Sequence, residues 1–280
     1  MNAAPPPASA QPGVQVEDAP LALLVADNIS LTFGGIRAVD HLSFKVSAGD
    51  VFSIIGPNGA GKTSIFNLVS RIYPLETGQL RLQGRDMALL AAHEIAGAGV
   101  ARTFQNNKLF DNASVLTNLM LGRYRHNRAS LLEQCLFLPG ARRQVLADRE
   151  KVEQVIEFLE IERYRDKRAG DLAYGVRKIV ELGRALVSEP TLLLLDEPSS
   201  GLSPEETLDM VFWIEDIRDK LGITVMMIEH DMSLVSSVSN RVLAVNMGAR
   251  LALGTAGEVQ ADPAVVAAYL GDALPGRIAS

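Results

Sequence analysis

The eight residues Gly56-Pro57-Asn58-Gly59-Ala60-Gly61-Lys62-Thr63 constrain this chain more than any other stretch. They match the pattern G-x-x-x-x-G-K-[ST], and they lie between an apolar run, Val51 to Ile55, and the stretch Ser64 to Val69, which reads as a helix. A strand, a glycine-rich turn and a helix in that order make a cradle for phosphate. Glycines let the backbone wrap closely, successive N–H groups point inward, and the helix N-terminus adds the positive end of its dipole. Lys62 is then placed to reach the β- and γ-phosphates of a nucleotide, and the Thr63 hydroxyl to bind Mg²⁺, with Ser64 closing the loop. A purely structural glycine turn would leave the strand and helix on either side without a purpose.

A second acidic pattern follows 134 residues after Lys62, in Leu192-Leu193-Leu194-Leu195-Asp196-Glu197-Pro198. Four apolar residues without alternation read as a strand buried on both faces, as in parallel sheets, and the carboxylates fall at its C-terminal edge, where such sheets bind ligands. Asp196 is expected to hold Mg²⁺ and Glu197 to polarise an attacking water. A surface Asp-Glu pair taken alone is an ordinary solvated turn; the glycine loop upstream is what gives this one a chemical reading. His230 ends a second unalternating run, Ile223 to Ile228, after Glu229, so it is expected at the same edge, touching the γ-phosphate and the water. His41, His93 and His126 have no comparable surroundings and receive no role.

Composition narrows the class. Lys and Arg number 27 against 33 Asp and Glu, a net charge of −6, which argues against a general nucleic-acid surface. The longest apolar run, Ala264 to Leu270, is seven residues, far short of a membrane span, and the MNAAPPPASAQPG start has neither the early basic residue nor the apolar segment of a secretory signal. The single cysteine, Cys135, cannot close an internal disulfide, so a reducing compartment is the expected setting.

Five of the 13 prolines fall within the first 20 residues, which are expected to be a disordered tail. Beyond them the runs Leu23–Ala26, Ile29–Phe33, Leu42–Val46 and Gln79–Leu82 read as further strands, and Val242–Val245 and Arg250–Leu253 as short closing ones. Between residues 106 and 189 the pattern is helical, with Val115–Tyr124, Asp148–Leu159 and Val176–Val187 as the best segments. After Ser203 a capping box is expected, with Ser203 as N-cap, Pro204 first and Glu206 reciprocal; Leu208, Val211, Phe212, Ile214 and Ile217 are expected to face the core, and Met210 and Trp213 to pack at its edge. The division implied is a nucleotide-binding α/β core from residues 21–105 and 190–260, a helical insertion at 106–189, and a C-terminal helix and tail at 261–280.

Leu172-Ala173-Tyr174-Gly175-Val176 opening a helix, followed by Arg184-Ala185-Leu186 and then the Asp196 strand, resembles the signature sequence of ATP-binding subunits of ABC transporters. The resemblance runs from about Leu23 to Gly271. It implies an α/β P-loop NTPase (RecA-like) core with an antiparallel β subdomain and an inserted α-helical subdomain. It also implies an ATP hydrolase using ATP and Mg²⁺, with the signature of one subunit closing over the ATP of another in a head-to-tail pair. Carried onto this sequence, it makes Phe33 the residue stacking on adenine, with Val39 padding beside it. Gln105 becomes the ligand joining Mg²⁺ to the membrane partner, His230 the switch histidine, and Ala173 and Gly175 the contacts to the partner's nucleotide. Phe33 and Val39 could equally be core residues, and Gln105 an exposed polar one.

The family's usual signature is L-S-G-G-Q. Here Ala173, Tyr174 and Val176 replace serine, glycine and glutamine, and Ser203 stands where an aspartate is frequent. Loss of the serine hydroxyl removes a hydrogen bond of about 0.5–1.5 kcal/mol, so weakened closure is the expectation. Phe33-Gly34-Gly35-Ile36-Arg37-Ala38-Val39, Ala101-Arg102-Thr103-Phe104-Gln105-Asn106, Ile228-Glu229-His230-Asp231-Met232 and Pro263 to Gly271 resemble more narrowly the ATPases of branched-chain amino-acid importers of the LivG type. That likeness implies permease subunits as membrane partners, indirectly a periplasmic solute-binding protein, no nucleic acid, and a peripheral place on the cytoplasmic face of the inner membrane. A soluble ABC ATPase without transport, or one serving lipopolysaccharide export, would share the same site.

Overall fold

The structure, a computed structural model, describes residues 22–103, 109–126 and 138–272. Among them, ten strands form two sheets. The strands Ala22–Phe33 (β1), Ile36–Ser47 (β2), Thr77–Leu82 (β4) and Arg85–Asp86 (β5) make an antiparallel sheet in the order β2-β1-β4-β5. Val51–Ile55 (β3), Val100–Arg102 (β6), Leu192–Asp196 (β7), Thr224–Ile228 (β8), Arg241–Asn246 (β9) and Ala249–Gly254 (β10) make the second, in the order β10-β9-β3-β8-β7-β6. In it β10 runs antiparallel to β9, and the other neighbours are parallel. The helices are Lys62–Val69 (α1), Val115–Gly122 (α2), Pro139–Phe158 (α3), Tyr174–Leu186 (α4), Pro204–Asp219 (α5), Met232–Val238 (α6), Ala256–Ala261 (α7) and Pro263–Asp272 (α8).

The unalternating apolar runs are buried on both faces, as their composition requires. Val51 and Ile55 of β3, Leu193 and Leu195 of β7, and Val225 and Met227 of β8 enter one core, which they share with α2, α3, α4 and α5. Phe52, Ile54, Leu192, Leu194, Met226 and Ile228 enter the other, shared with α1 and the antiparallel sheet. A period of two residues thus distributes three adjacent strands between two cores.

Several elements differ from the sequence reading. Leu23–Ala26 and Ile29–Phe33 are one strand, because Asp27 and Asn28 form a bulge rather than a break. Asn28 sits at φ 50 with its N–H donating to Ser43 Oγ across the register shift at 2.8 Å, and the ring of His41, itself at φ 47, meets the Asn28 side chain at 3.0 Å. Helix α3 begins nine residues before Asp148: Pro139 occupies its first turn, where proline's missing N–H is no loss, so Leu138-Pro139-Gly140 opens a helix. The capping box on α5 is present, with Ser203 Oγ accepting from Glu206 N–H at 3.2 Å and Glu206 Oε2 accepting from Ser203 N–H at 2.8 Å. Of the residues expected to face the core from α5, Ile214 and Ile217 are buried and Val211 packs against the core, while Leu208 and Phe212 do not reach it. Met210, Ile214 and Ile217, spaced four and three apart, are buried, whereas Leu208 and Phe212 lie on the opposite side and are exposed. Trp213 packs at the core edge as expected.

Candidate active site

Three neighbouring parallel strands bring the sequence-predicted residues to one edge. The glycine loop leaves the end of β3, Asp196 ends β7 with Glu197 next after it, and Glu229 and His230 follow β8. Backbone hydrogen bonds tie the three exits together: Glu197 N–H donates to Ile228 O at 3.0 Å, and Glu229 N–H to Ile54 O at 3.3 Å.

The loop is built around close backbone approaches. Gly61, the N-cap of α1, sits at φ 98, and a Cβ there would run into the carbonyl of Ala38. A Cβ on Gly56 would strike the carbonyl of Val245. Both glycines are therefore required by crowding from β2 and β9, and the loop is anchored from outside by Gly248 N–H donating to Ala60 O at 2.9 Å. Lys62 is buried, with Nζ donating to Gly56 O at 2.6 Å and Pro57 O at 2.9 Å, so its cation lies within the loop's own curve. Asn58, Gly59 and Thr63 are exposed, Ser64 is half-buried, and Pro57 and Ala60 are buried. A curved run of backbone N–H groups, one buried cation and an exposed threonine hydroxyl at a helix N-terminus form a donor set that fits a nucleotide polyphosphate with its magnesium.

Asp196 is buried, and its Oδ2 accepts from Arg102 Nη2 at 2.7 Å. Arg102 also donates through Nη1 to Asn67 Oδ1 at 2.7 Å and Ser70 Oγ at 3.0 Å, both on or just after α1, and lies 5.5 Å from the centre of the Phe66 ring. Glu197 stands at φ 50, the left-handed region, where a non-glycine residue is strained. His230 is exposed over 61 % of its side chain, with Nδ1 3.8 Å from Glu229 Oε2. Glu229 is wholly buried and spends both oxygens on backbone: Oε1 accepts from Ser199 N–H at 2.7 Å, and Oε2 from His230 and Asp231 N–H at 2.9 and 3.2 Å.

Phe33 is 42 % exposed at the end of β1, and its ring meets Tyr73 edge-on at 4.9 Å. Val39 corrects the reading: at 0 % exposure it belongs to the core beneath the antiparallel sheet and offers no surface to a base. Ala173 is the exposed N-cap of α4, and Gly175 is buried beneath the Glu206 carboxylate, where a Cβ would collide with it. Gln105 lies outside the described residues. Sequence reasoning missed Arg102, Glu229, Lys178 and Tyr73, since nothing in the spacing of a lone charged or aromatic residue shows which strand end it will face. Glu229 alone had a signal, an acidic residue between a buried apolar run and His230.

A family model for ABC transporters matches residues 39–200, more than half of the chain. The chain belongs to that family. As an ABC ATP-binding subunit it is an ATPase, and its architecture is the cassette fold. A further model, described as "branched-chain amino acid ATP-binding cassette transporter", matches residues 249–274, which hold β10, α7 and α8. The chain is 39 % identical over 254 residues to the high-affinity branched-chain amino acid transport ATP-binding protein BraF of Pseudomonas aeruginosa, covering 90 % of this chain and 98 % of that one. It is 35 % identical over 251 residues to LivG, the protein of the same description from Escherichia coli, with the same two coverages. Among solved structures, an ATP-binding cassette of an ABC transporter in its ADP conformation superposes with a TM-score of 0.78 at 30 % identity, over 90 % of this chain and 99 % of that one. Among the described residues, no helix is long and apolar enough to cross a membrane.

Proposed function

We propose that this ATPase powers an importer for branched-chain amino acids or a closely related small solute, working as a peripheral subunit on the cytoplasmic face of the inner membrane. The convergence of the β3, β7 and β8 exits at one sheet edge carries the catalytic part of this reading. The similarity of residues 249–274 to the branched-chain transporter model carries the choice of solute over a soluble or lipopolysaccharide-export ATPase.

In this reading, backbone N–H groups from Gly56 to Ser64 and the Lys62 cation hold the β- and γ-phosphates of ATP. The Thr63 hydroxyl, Asp196 and Gln105 hold Mg²⁺, whose charge, when bound, neutralises that of the phosphates. Phe33 stacks on the base. Glu197 takes the proton side of the attacking water and orients it, and His230 donates from the exposed end of β8 towards the γ-phosphate. Ala173, exposed at the head of α4, faces the nucleotide of a second ATP-binding subunit arranged head to tail, while Gly175 stays beneath the Glu206 carboxylate. Permease subunits dock beside the segment of Gln105 and the helical region 106–189, which we read as a unit distinct from the core at 21–105 and 190–260. A periplasmic solute-binding protein delivers the solute to the permease, and no nucleic acid takes part. With purified permease in proteoliposomes, Lys62→Ala is expected to lose nucleotide binding, and Glu197→Gln to bind ATP while releasing no phosphate. Unchanged phosphate release in either variant refutes the catalytic assignment. Leucine uptake that fails to follow ATP hydrolysis by the native complex refutes the solute.

A further inference from the structure

One departure from the usual signature, Tyr174, acquires a purpose where α4 meets the loop after β7. Lys178 Nζ donates to Glu197 O at 2.8 Å and to Pro198 O at 3.1 Å. One turn earlier on the same face of α4, the Tyr174 hydroxyl donates to Ser200 O at 3.4 Å, and its ring packs so closely on Gly201 that a Cβ there would come within 2.9 Å of it. Lys178 Nζ itself lies 5.7 Å from the centre of the Tyr174 ring. The buried Glu229 carboxylate accepts from the N–H of Ser199 in the same segment. The segment 197–201 is therefore held by a cation that donates to its carbonyls and an anion that accepts from its amide.

The grip acts on a strained residue. Glu197 is kept at φ 50, and a backbone conformation of that kind persists where surrounding bonds over-determine it. Its N–H is fixed by Ile228 O, and its carbonyl by Lys178. Burial draws the Lys178 ammonium below the ordinary lysine pKa, while the neighbouring Glu229, Glu181 and Glu197 carboxylates favour its charged form.

We infer that Tyr174 and Lys178 are positioning residues for ATP hydrolysis: they lock the Glu197 loop to the first turns of α4, so that the helix bearing Ala173 and Gly175 and the residue that orients water move as one body. This rests on the role given above to Glu197. In consequence, engagement of one subunit's signature with its partner's nucleotide is registered at that subunit's own Glu197 through a direct side-chain link.

The test compares Lys178→Met, Lys178→Arg and Glu197→Gln in the complete complex with its permease, measuring kcat, KM for ATP and thermal melting. Lys178→Met is expected to lower kcat roughly 10- to 100-fold with KM within about twofold of the native value, since phosphate-binding groups are untouched while the Glu197 backbone relaxes. Lys178→Arg, which can still donate to both carbonyls, is expected to recover most of kcat. If Lys178→Met does not fold, Lys178→Gln is measured in its place with the same expectation. A folded variant with native kcat, or one whose loss lies in KM, overturns the inference while Glu197→Gln remains inactive. Should Glu197→Gln itself turn over normally, the failure belongs to the catalytic assignment.

Discussion

Replacing Arg102 by methionine separates the energetic weight of its charge from that of its packing. The pair Arg102–Asp196 is closed to solvent, the two side chains being 7 % and 5 % exposed, and methionine keeps the aliphatic bulk over Phe66. Two effects compete. The bonds to Asn67 and Ser70 are each worth about 1 kcal/mol, and both partners lie near enough to the surface for water to take over. The carboxylate of Asp196 is the larger matter, because breaking a buried pair by removing one partner costs about 3–5 kcal/mol. The expected loss is therefore about 3–5 kcal/mol, which for a domain of this size lowers the melting temperature by roughly 6–20 °C. Differential scanning calorimetry of the nucleotide-free protein measures it, and Arg102→Met/Asp196→Asn, which removes the stranded charge, should regain most of the loss. A single variant melting within about 2 °C of the native protein, or a double variant no more stable than the single one, refutes the argument that the unpaired carboxylate dominates.

Phe33→Ala is expected to raise KM for ATP roughly 5- to 150-fold with little change in kcat, the range following from about 1–3 kcal/mol for stacking a base on an aromatic ring; an unchanged KM would remove Phe33 from the base site. A pH dependence follows from two carboxylates held by arginines. Hydrogen bonding from Arg165 draws the Glu153 carboxyl below its ordinary pKa, and Arg123 does the same for Glu189. Both groups bind a proton more readily in the unfolded chain, so their stabilisation is complete above the ordinary glutamate value of about 4.3 and is lost as pH falls through the lower, folded values. Urea midpoints should hold steady from pH 7 towards 5 and decline below that, and Glu153→Gln/Glu189→Gln should be less stable at pH 7 with a shallower acid decline; parallel declines would contradict the assignment.

The elements that place the site were legible because each depends on a short range of sequence. Gly56 to Thr63 carries its own turn, Leu192 to Leu195 reads as doubly buried without reference to its neighbours, and Ser203, Pro204 and Glu206 form a cap within four residues. What escaped depends on partners distant in sequence. Strand β6 is three residues long and exists through its pairing with β7, and Arg102 gains its meaning from Asp196, 94 residues on. On α5, Ile214 and Ile217 were legible as core, but the apolar positions spread too far round the helix for periodicity to exclude Leu208 and Phe212; the adjoining strands and helices leave those two exposed. For Val39 the core position, one of the two left open, is the one the structure shows; the resemblance that set it beside Phe33 says nothing of which side of a strand faces the core.

The division of β3, β7 and β8 between two cores bears on where this molecule can change shape. A one-residue slip in β7 would exchange Leu192 and Leu194 with Leu193 and Leu195 and spoil both cores together, so the register is fixed twice over. Amide exchange along these strands should accordingly be among the slowest in the chain, governed by global unfolding rather than by local opening. An edge so firmly held cannot travel to meet its substrate, and any motion that accompanies turnover must be borne by the elements around it. The strands are the anvil of the machine, and the helices are what moves against them.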